Sequence, residues 1–220
     1  MKSQDQQVAQ HLLQIKAIKL SPQNPFVWAS GRRSPIYCDN RISLSHPEVR
    51  TYLVSQLVEQ SKGFGSIDGV AGVATAGIPH GALLADRLGL PFIYIRSKAK
   101  AHGRQNQIEG ELQPGANYLV VEDLVSTGGS SLLAVEALRE AGGTVAGVLA
   151  LFTYGFPEAE QAFAKADCPL QTLSHYDALL AAVCIPMPVL KLHRPALTEK
   201  WLRNTLFGVE ILKSRFLHGQ

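Results

Sequence analysis

Short apolar segments alternate with segments of helical periodicity along residues 69–166, and this alternation constrains the fold more than any other feature of the sequence. The apolar segments predict strands at residues 69–74, 91–95, 118–121 and 144–152. Apolar residues at helical spacing predict helices at residues 78–88, 130–141 and 157–166. This pattern is typical of an α/β fold with a parallel sheet and helices on both faces. Ligands of such sheets bind beyond the carboxyl ends of the strands.

The part of the chain before residue 69 predicts two helices separated by a long loop. Helical spacing indicates a first amphipathic helix that contains Val8, Leu12, Ile15 and Lys19. Residues 21–44 are rich in proline, glycine and serine and predict a loop. The sequence SHPE at residues 45–48 predicts a capping box and a second helix, which ends near Gly63 and buries Val49, Leu53 and Leu57. No repeat or linker divides the chain, so we expect a single domain over residues 1–220.

Composition excludes several classes of function. Lysine and arginine exceed aspartate and glutamate by only 21 to 18, and this small excess does not predict nucleic-acid binding. The polar amino terminus is unlike a signal peptide, and no apolar run is long enough to predict a membrane span. The cysteines have no CxxC spacing and indicate reduced thiols; they are Cys38, Cys168 and Cys184. We therefore expect a cytoplasmic protein without a nucleic-acid or membrane partner.

The loop after the strand at residues 118–121 has the composition of a phosphate-binding site. Two glycines and several hydroxyl residues, Ser126 to Ser130, precede a predicted helix. The free N–H groups and dipole of a helix amino terminus favour a phosphate there. Glu122 and Asp123 come just before, and carboxylates repel phosphate, so we expect them to accept hydrogen bonds from ribose hydroxyls. An ordinary serine and glycine helix cap is the alternative.

The run of residues 120–130, VVEDLVSTGGS, resembles the phosphoribosyl-pyrophosphate motif of the type I phosphoribosyltransferases. The resemblance implies a core parallel sheet, a small N-terminal hood (residues 1–45), a mobile catalytic loop and a donor bound with Mg²⁺. The Mg²⁺ is then held mainly by substrate, without a dedicated protein metal site. The donor-binding residues that it implies are Arg96, Lys98, Lys100, His102, Glu122, Asp123, Leu124, Val125, Ser126, Thr127, Gly128, Gly129 and Ser130.

Three further stretches resemble the orotate branch of that family. They are residues 28–41 (WASGRRSPIYCDNR, the signature segment), 74–79 (ATAGIP) and 96–103 (RSKAKAHG), the last continued by NQIEG at 106–110. The resemblance implies transfer of ribose 5-phosphate from phosphoribosyl pyrophosphate to orotate, a step toward the pyrimidine nucleotides. It also implies that Tyr37 and Ser126 contact orotate, and that a homodimer shares the catalytic loop across its interface. The chain departs from the common pattern where it lacks cations, at Ala29, at Ala76 and at residues 153–155.

The catalytic loop makes chemical sense because five basic residues lie within nine positions: Arg96, Lys98, Lys100, His102 and Arg104. A pyrophosphate leaving group gains charge as its bond to the sugar breaks, so cations aimed at it stabilise the transition state more than the ground state. Lys98, Lys100 and His102 are therefore the candidate catalytic residues, and His102 is able to supply a proton near neutral pH. A solvated surface turn and an RNA-binding loop are alternatives, although no aromatic residues interleave the charges.

Other functions remain open at this point. A phosphoribosyltransferase for a purine base would keep the phosphate loop and lose the signature segment. A regulator that senses phosphoribosyl pyrophosphate would need a nucleic-acid-binding module, and the first 20 residues are too few for a helix-turn-helix. The turn around Tyr37 also has a purely structural interpretation, as a rigid loop.

Overall fold

The computed structural model describes residues 2–21, 24–28, 31, 33–97 and 107–182. The helices are α1 (Gln4–Gln14), α2 (Pro47–Ser61), α3 (Gly77–Leu88), α4 (Gly129–Glu140), α5 (Pro157–Lys165) and α6 (Tyr176–Ala182), with 3₁₀ helices at Asn40–Ser45 and Lys62–Phe64. The strands are β1 (Ile18–Leu20), β2 (Phe26–Val27), β3 (Arg33–Ser34), β4 (Ile36–Cys38), β5 (Gly69–Val73), β6 (Phe92–Ile95), β7 (Ile108–Glu109), β8 (Asn117–Val125), β9 (Thr144–Thr153) and β10 (Leu170–His175).

A six-stranded sheet forms the centre, with strand order β10-β9-β8-β5-β6-β7. The first five of these strands are parallel, and β7 pairs antiparallel with β6 at the edge. The predicted α/β class with a parallel sheet is confirmed. The short antiparallel strand β7 was not predicted, because two residues inside a polar stretch carry no periodicity.

The two faces of the sheet carry separate cores. Successive residues of a strand point to opposite faces, so Val70 and Ala71 of β5 belong to different cores. Buried side chains of α1, α2 and α3 pack on one face, whereas those of α4 and α5 pack on the other. Apolar residues on both sides of each strand thus require helices on both faces, as the alternating pattern predicted.

Helix α3 lies unusually close to the sheet because three glycines leave room for backbone contact. A methyl group at Gly77 would collide with the carbonyl oxygen of Val121 on β8. One at Gly81 would lie 2.9 Å from the Phe92 ring, and one at Gly72 would lie 2.9 Å from the Cα of Ile78. The glycines therefore set the distance at which the start of α3 meets the middle of β8.

Several predicted boundaries in the first 60 residues were wrong. The first helix ends at Gln14, and Lys19 lies in β1, where it faces Tyr37 of the antiparallel strand β4. The predicted loop at 21–44 contains β2, β3, β4 and most of a 3₁₀ helix. Helix α2 is capped by His46 without a side-chain hydrogen bond, so the predicted capping box is absent, although Pro47 does open the helix. Val49, Leu53 and Leu57 are buried as predicted.

The last strand of the described chain contacts the first helix. Strand β10 and helix α6 follow α5, and β10 pairs with β9 at the edge of the sheet. The Ser174 hydroxyl donates to the carbonyl oxygen of Asp5 at 2.8 Å, and the His175 Nε2 lies 3.0 Å from the Asp5 carboxylate. These contacts fix α1 against the last strand. Among the described residues, no helix combines the length and hydropathy that a membrane span requires.

Candidate active site at the carboxyl end of the sheet

The turn between β8 and α4 presents free N–H groups at a helix amino terminus. The turn residues Ser126, Thr127 and Gly128 follow β8, and α4 begins at Gly129. The first backbone hydrogen bond of the helix runs from the Leu132 N–H to the Gly128 carbonyl at 2.9 Å, so the preceding N–H groups have no acceptor within the helix. Thr127, Gly129 and Ser130 are exposed, which leaves these donors accessible to a phosphate.

Gly128 is the turn residue that no other amino acid replaces without strain. Its φ of 85° lies in the left-handed region, where a side chain is strained. A methyl group there would also lie 2.8 Å from the Phe163 ring of α5, whereas one at Gly129 would meet nothing within 4 Å. The sequence predicted both glycines as loop residues, and the structure separates their roles.

Strand β8 is longer than the predicted 118–121 and includes the acid pair. Glu122 is only 5% exposed, and its Oε2 accepts from the hydroxyls of Ser130 and Ser131, each at 3.3 Å. Its Oε1 accepts from the Asp123 N–H at 3.1 Å. Burial, and then the neighbouring charge of Asp123, raise the pKa of Glu122 to about 8. Sequence reasoning missed Ser131, which is fully buried and lies one residue beyond the predicted set.

Asp123 is half-buried beside Glu122, and burial raises the pKa of its carboxyl against the opposing effects of a side-chain hydrogen bond with Glu122 and of the Arg41 charge. Arg41 itself forms a bidentate ion pair with Asp39, with Nε–Oδ1 and Nη2–Oδ2 distances of 2.7 and 2.9 Å. Asn40 lies between these two residues and is fully buried. Its Nδ2 donates to the carbonyl oxygen of Asp123 at 2.6 Å, which joins the signature segment to the end of β8.

An aromatic cluster holds the signature segment over the loop after β9. The Trp28 ring lies 4.7 Å from that of Tyr154, and the Trp28 N–H donates to the Ile36 carbonyl at 3.1 Å. Tyr154 in turn stacks on Phe156 at 5.5 Å. Trp28 therefore packs with core residues. Tyr37, the predicted orotate contact, is 40% exposed on β4.

Two further predicted segments flank this end of the sheet. The turn before α3 has a cis Ala74–Thr75 peptide bond, and α3 places Gly77 against Val121 of β8, one residue before the acid pair. Arg96 follows β6, and its Nη1 lies 3.5 Å from the Glu109 carboxylate of β7. The predicted catalytic residues Lys98, Lys100 and His102 lie outside the described residues.

The structure thus brings four predicted elements to one end of the sheet. They are the phosphate turn (residues 126–130), the acid pair (Glu122 and Asp123), the turn before α3 and the signature segment. A nucleotide-sized donor with a phosphate on the α4 amino terminus would have its sugar near the two carboxyls. Within the described ranges, no three His, Cys, Asp or Glu side chains form a metal-binding cluster. The acid pair offers hard oxygen ligands of the kind that Mg²⁺ takes together with water and phosphate oxygens.

Comparison with known proteins identifies the family. A family model described as "Phosphoribosyl transferase domain" matches residues 48–174. An orotate phosphoribosyltransferase from Bacteroides fragilis is 57% identical over 183 residues, which cover 82% of this chain and 85% of that protein. The chain belongs to the orotate phosphoribosyltransferase family. A relative of the same name from Listeria innocua is 50% identical over 201 residues, covering 91% of this chain and 96% of its own length.

Solved structures agree with this membership. The crystal structure of orotate phosphoribosyltransferase from Aeropyrum pernix has a TM-score of 0.72 and 32% identity, and the match covers 80% of this chain and 97% of that one. Adenine phosphoribosyltransferase from Thermoanaerobacter pseudethanolicus shares the fold, with a TM-score of 0.55, 21% identity and coverage of 64% and 88%. The common fold therefore spans both acceptor classes, and the orotate relatives match more of this chain.

Proposed function

We propose that this chain transfers ribose 5-phosphate from phosphoribosyl pyrophosphate, the donor, to orotate, the acceptor. The products are orotidine 5′-monophosphate and pyrophosphate. The observation that carries the proposal is the phosphate turn directly beside a buried acid pair, in a chain 57% identical to an orotate phosphoribosyltransferase. A site of this kind matches both ends of a ribose 5-phosphate.

The reaction forms a bond between orotate N1 and ribose C1 and breaks the bond from C1 to pyrophosphate oxygen. The proton of N1 is released to the departing pyrophosphate or to solvent. The bonding electrons leave with pyrophosphate, so C1 becomes oxocarbenium-like and negative charge grows on the leaving group. Residues 126–130 hold the 5-phosphate, while Glu122 and Asp123 hold the ribose hydroxyls. Tyr37 and Ser126 contact orotate. Arg96, Lys98, Lys100 and His102 meet the charge that grows on pyrophosphate.

Mg²⁺, a cytoplasmic location and a homodimer complete the proposal. Mg²⁺ would be held mainly by oxygens of the pyrophosphate and ribose and by water, with few direct protein ligands. When bound, the ion would neutralise part of the pyrophosphate charge. The segment after Arg96 would then act in the neighbouring subunit's site, which explains a long polar connection between β6 and β7.

The decisive experiment mixes the purified chain with phosphoribosyl pyrophosphate, Mg²⁺ and orotate and follows the loss of orotate absorbance. Parallel reactions contain adenine or hypoxanthine in place of orotate and are followed by the release of pyrophosphate, which is also recorded with orotate. A further control omits Mg²⁺. We expect turnover with orotate alone and none without the metal. Turnover with a purine base and not with orotate would assign the chain to the rival activity.

The loop cations should act on the chemical step. Lys100→Ala and His102→Ala should lower kcat much more than they raise KM, because both residues meet charge that develops in the transition state. Steady-state kinetics with each substrate varied in turn measures both constants. If kcat stays at the wild-type value and only KM rises, the loop binds substrate without stabilising the transition state.

A further inference from the structure

Asn40 makes the most unusual long-range contact of the site. It belongs to the signature segment, yet its side chain hydrogen-bonds to a residue 83 positions later, the Asp123 carbonyl, with an Nδ2–O distance of 2.6 Å. Asn40 has no exposed surface. A carbonyl oxygen only accepts hydrogen bonds, so the amide nitrogen of Asn40 must face it, and this fixes the orientation of the amide.

Asn40 is itself held on its other sides. Its Oδ1 accepts from the Cys38 thiol at 3.3 Å, and its own carbonyl accepts from the Ser43 hydroxyl at 2.6 Å. Cys38 belongs to the same segment, on β4, and Ser43 lies in the 3₁₀ helix that begins at Asn40. The amide therefore has a fixed geometry from which it reaches a single point on β8.

That point lies within the donor side of the site. The Asp123 peptide that receives the bond carries the acid pair: its N–H donates to Glu122 at 3.1 Å, and its side chain is one of the two carboxyls. Tyr37, the proposed acceptor contact, lies three residues before Asn40 on the same segment. The buried amide of Asn40 thus links the acceptor side of the site to its donor side.

We propose that Asn40 is a positioning residue that fixes the donor-binding acid pair relative to the acceptor-binding segment. The inference rests on the proposed function and adds to it a residue that touches neither substrate. Loss of the amide leaves the Asp123 carbonyl without its partner and releases the signature segment from β8. Both substrates then bind less well, although only the acceptor segment has been changed.

Asn117 provides a matched control on the same strand. Its Nδ2 donates to a distant backbone carbonyl, that of Ser66, at 2.8 Å, and it lies at the opposite, amino end of β8. Asn117→Ala removes the same kind of bond away from the site. A purely structural role for Asn40 predicts that both variants lower the melting temperature and leave substrate binding unchanged.

The test is calorimetric titration of Asn40→Ala and Asn117→Ala with phosphoribosyl pyrophosphate and Mg²⁺ in the absence of orotate, beside thermal melts. We expect Asn40→Ala to weaken donor binding on the order of tenfold, the effect of one lost hydrogen bond in a site. Its KM for orotate should rise by a similar factor, and Asn117→Ala should stay within about twofold on both measures.

Asn40→Ser provides the same test if Asn40→Ala does not fold, because serine keeps a small polar group and is too short to reach the carbonyl. Donor affinity within twofold of wild type in the folded variant overturns the proposal, as does an equal loss in Asn117→Ala. The donor titration does not involve the acceptor. A failure of the protein to use orotate would therefore refute the proposed function, while the donor affinity of the Asn40 variants would still test the role of Asn40.

Discussion

Replacing Glu122 with glutamine should stabilise the ligand-free protein, but only at pH values above the ordinary pKa of a glutamate. Burial raises the pKa of Glu122 from 4.5 to about 8, with a further contribution from Asp123. A raised folded-state pKa means that the folded protein keeps a proton that the unfolded chain has lost. The wild type is therefore most stable, on this account, below pH 4.5 and loses stability as the pH rises toward 8.

The size of the effect follows from the width of the pH range between the unfolded-state and folded-state pKa values of Glu122. One proton difference costs about 1.4 kcal/mol for each pH unit, so three units from pH 5 to pH 8 set an upper limit of about 4 kcal/mol. Because Asp123 shares the burial and its pKa is also raised, we expect about half of that limit for Glu122 alone, about 2 kcal/mol. Glutamine keeps the shape and accepts or donates hydrogen bonds to Ser130 and Ser131 without charge.

Urea denaturation at pH 5, 6.5 and 8 without ligand measures the difference. The free energy of unfolding of Glu122→Gln should equal that of wild type at pH 5 and exceed it by about 2 kcal/mol at pH 8. Glu136→Gln, on the exposed side of α4, is the control and should follow wild type at every pH. If Glu122→Gln also loses stability in parallel with wild type, Glu122 is ionised in the folded protein at neutral pH and the reasoning fails.

Three further outcomes test the site. Asp123→Asn should weaken donor binding on the order of tenfold or more while the fold survives, since a charge-assisted hydrogen bond contributes roughly 1.5–3 kcal/mol; unchanged affinity by calorimetry would remove Asp123 from the site. Gly128→Ala should lower stability by about 1–3 kcal/mol, because φ is 85° and the methyl group meets Phe163, whereas Gly129→Ala should not, as chemical denaturation will show. Refolding Lys100→Ala together with Asp123→Ala should return about a quarter of wild-type activity, because half of the dimers are mixed and each has one intact site; activity at the parental level in mixed dimers would contradict a shared loop.

Elements with a local signal were predicted well. Helix α3 begins one residue before the predicted start, and β5 and β9 each end within one residue of the predicted positions. Each of these elements has its own apolar periodicity and a glycine or proline at a boundary. The predicted position of the phosphate turn was also right for this reason, since a strand, two glycines and a helix follow one another in the sequence.

Elements that depend on distant partners were not predicted. Two acids at the end of a strand look like a loop, yet Glu122 remains in β8 because hydroxyls of α4 and a raised pKa make its burial tolerable. Lys19 continues a helical spacing, but it lies in a strand because β4 pairs with it from the other side of a long connection. The roles of Asn40 and Ser131 are likewise invisible in sequence, since each depends on a hydrogen bond to a different element.

The docking of α1 on the last strand has a consequence for synthesis of the chain on the ribosome. Val8, Ala9 and Leu12 are fully buried, and the contacts of Asp5 with Ser174 and His175 show where the helix docks. Residues 170–175 leave the ribosome after nearly all the other described elements, so this apolar stripe has no strand to cover it during most of translation. A nascent chain with an exposed stripe invites chaperones and aggregation. Stalling or truncation before β10 should therefore lower the yield of folded protein far more than the position of β10 near the end of the described chain suggests.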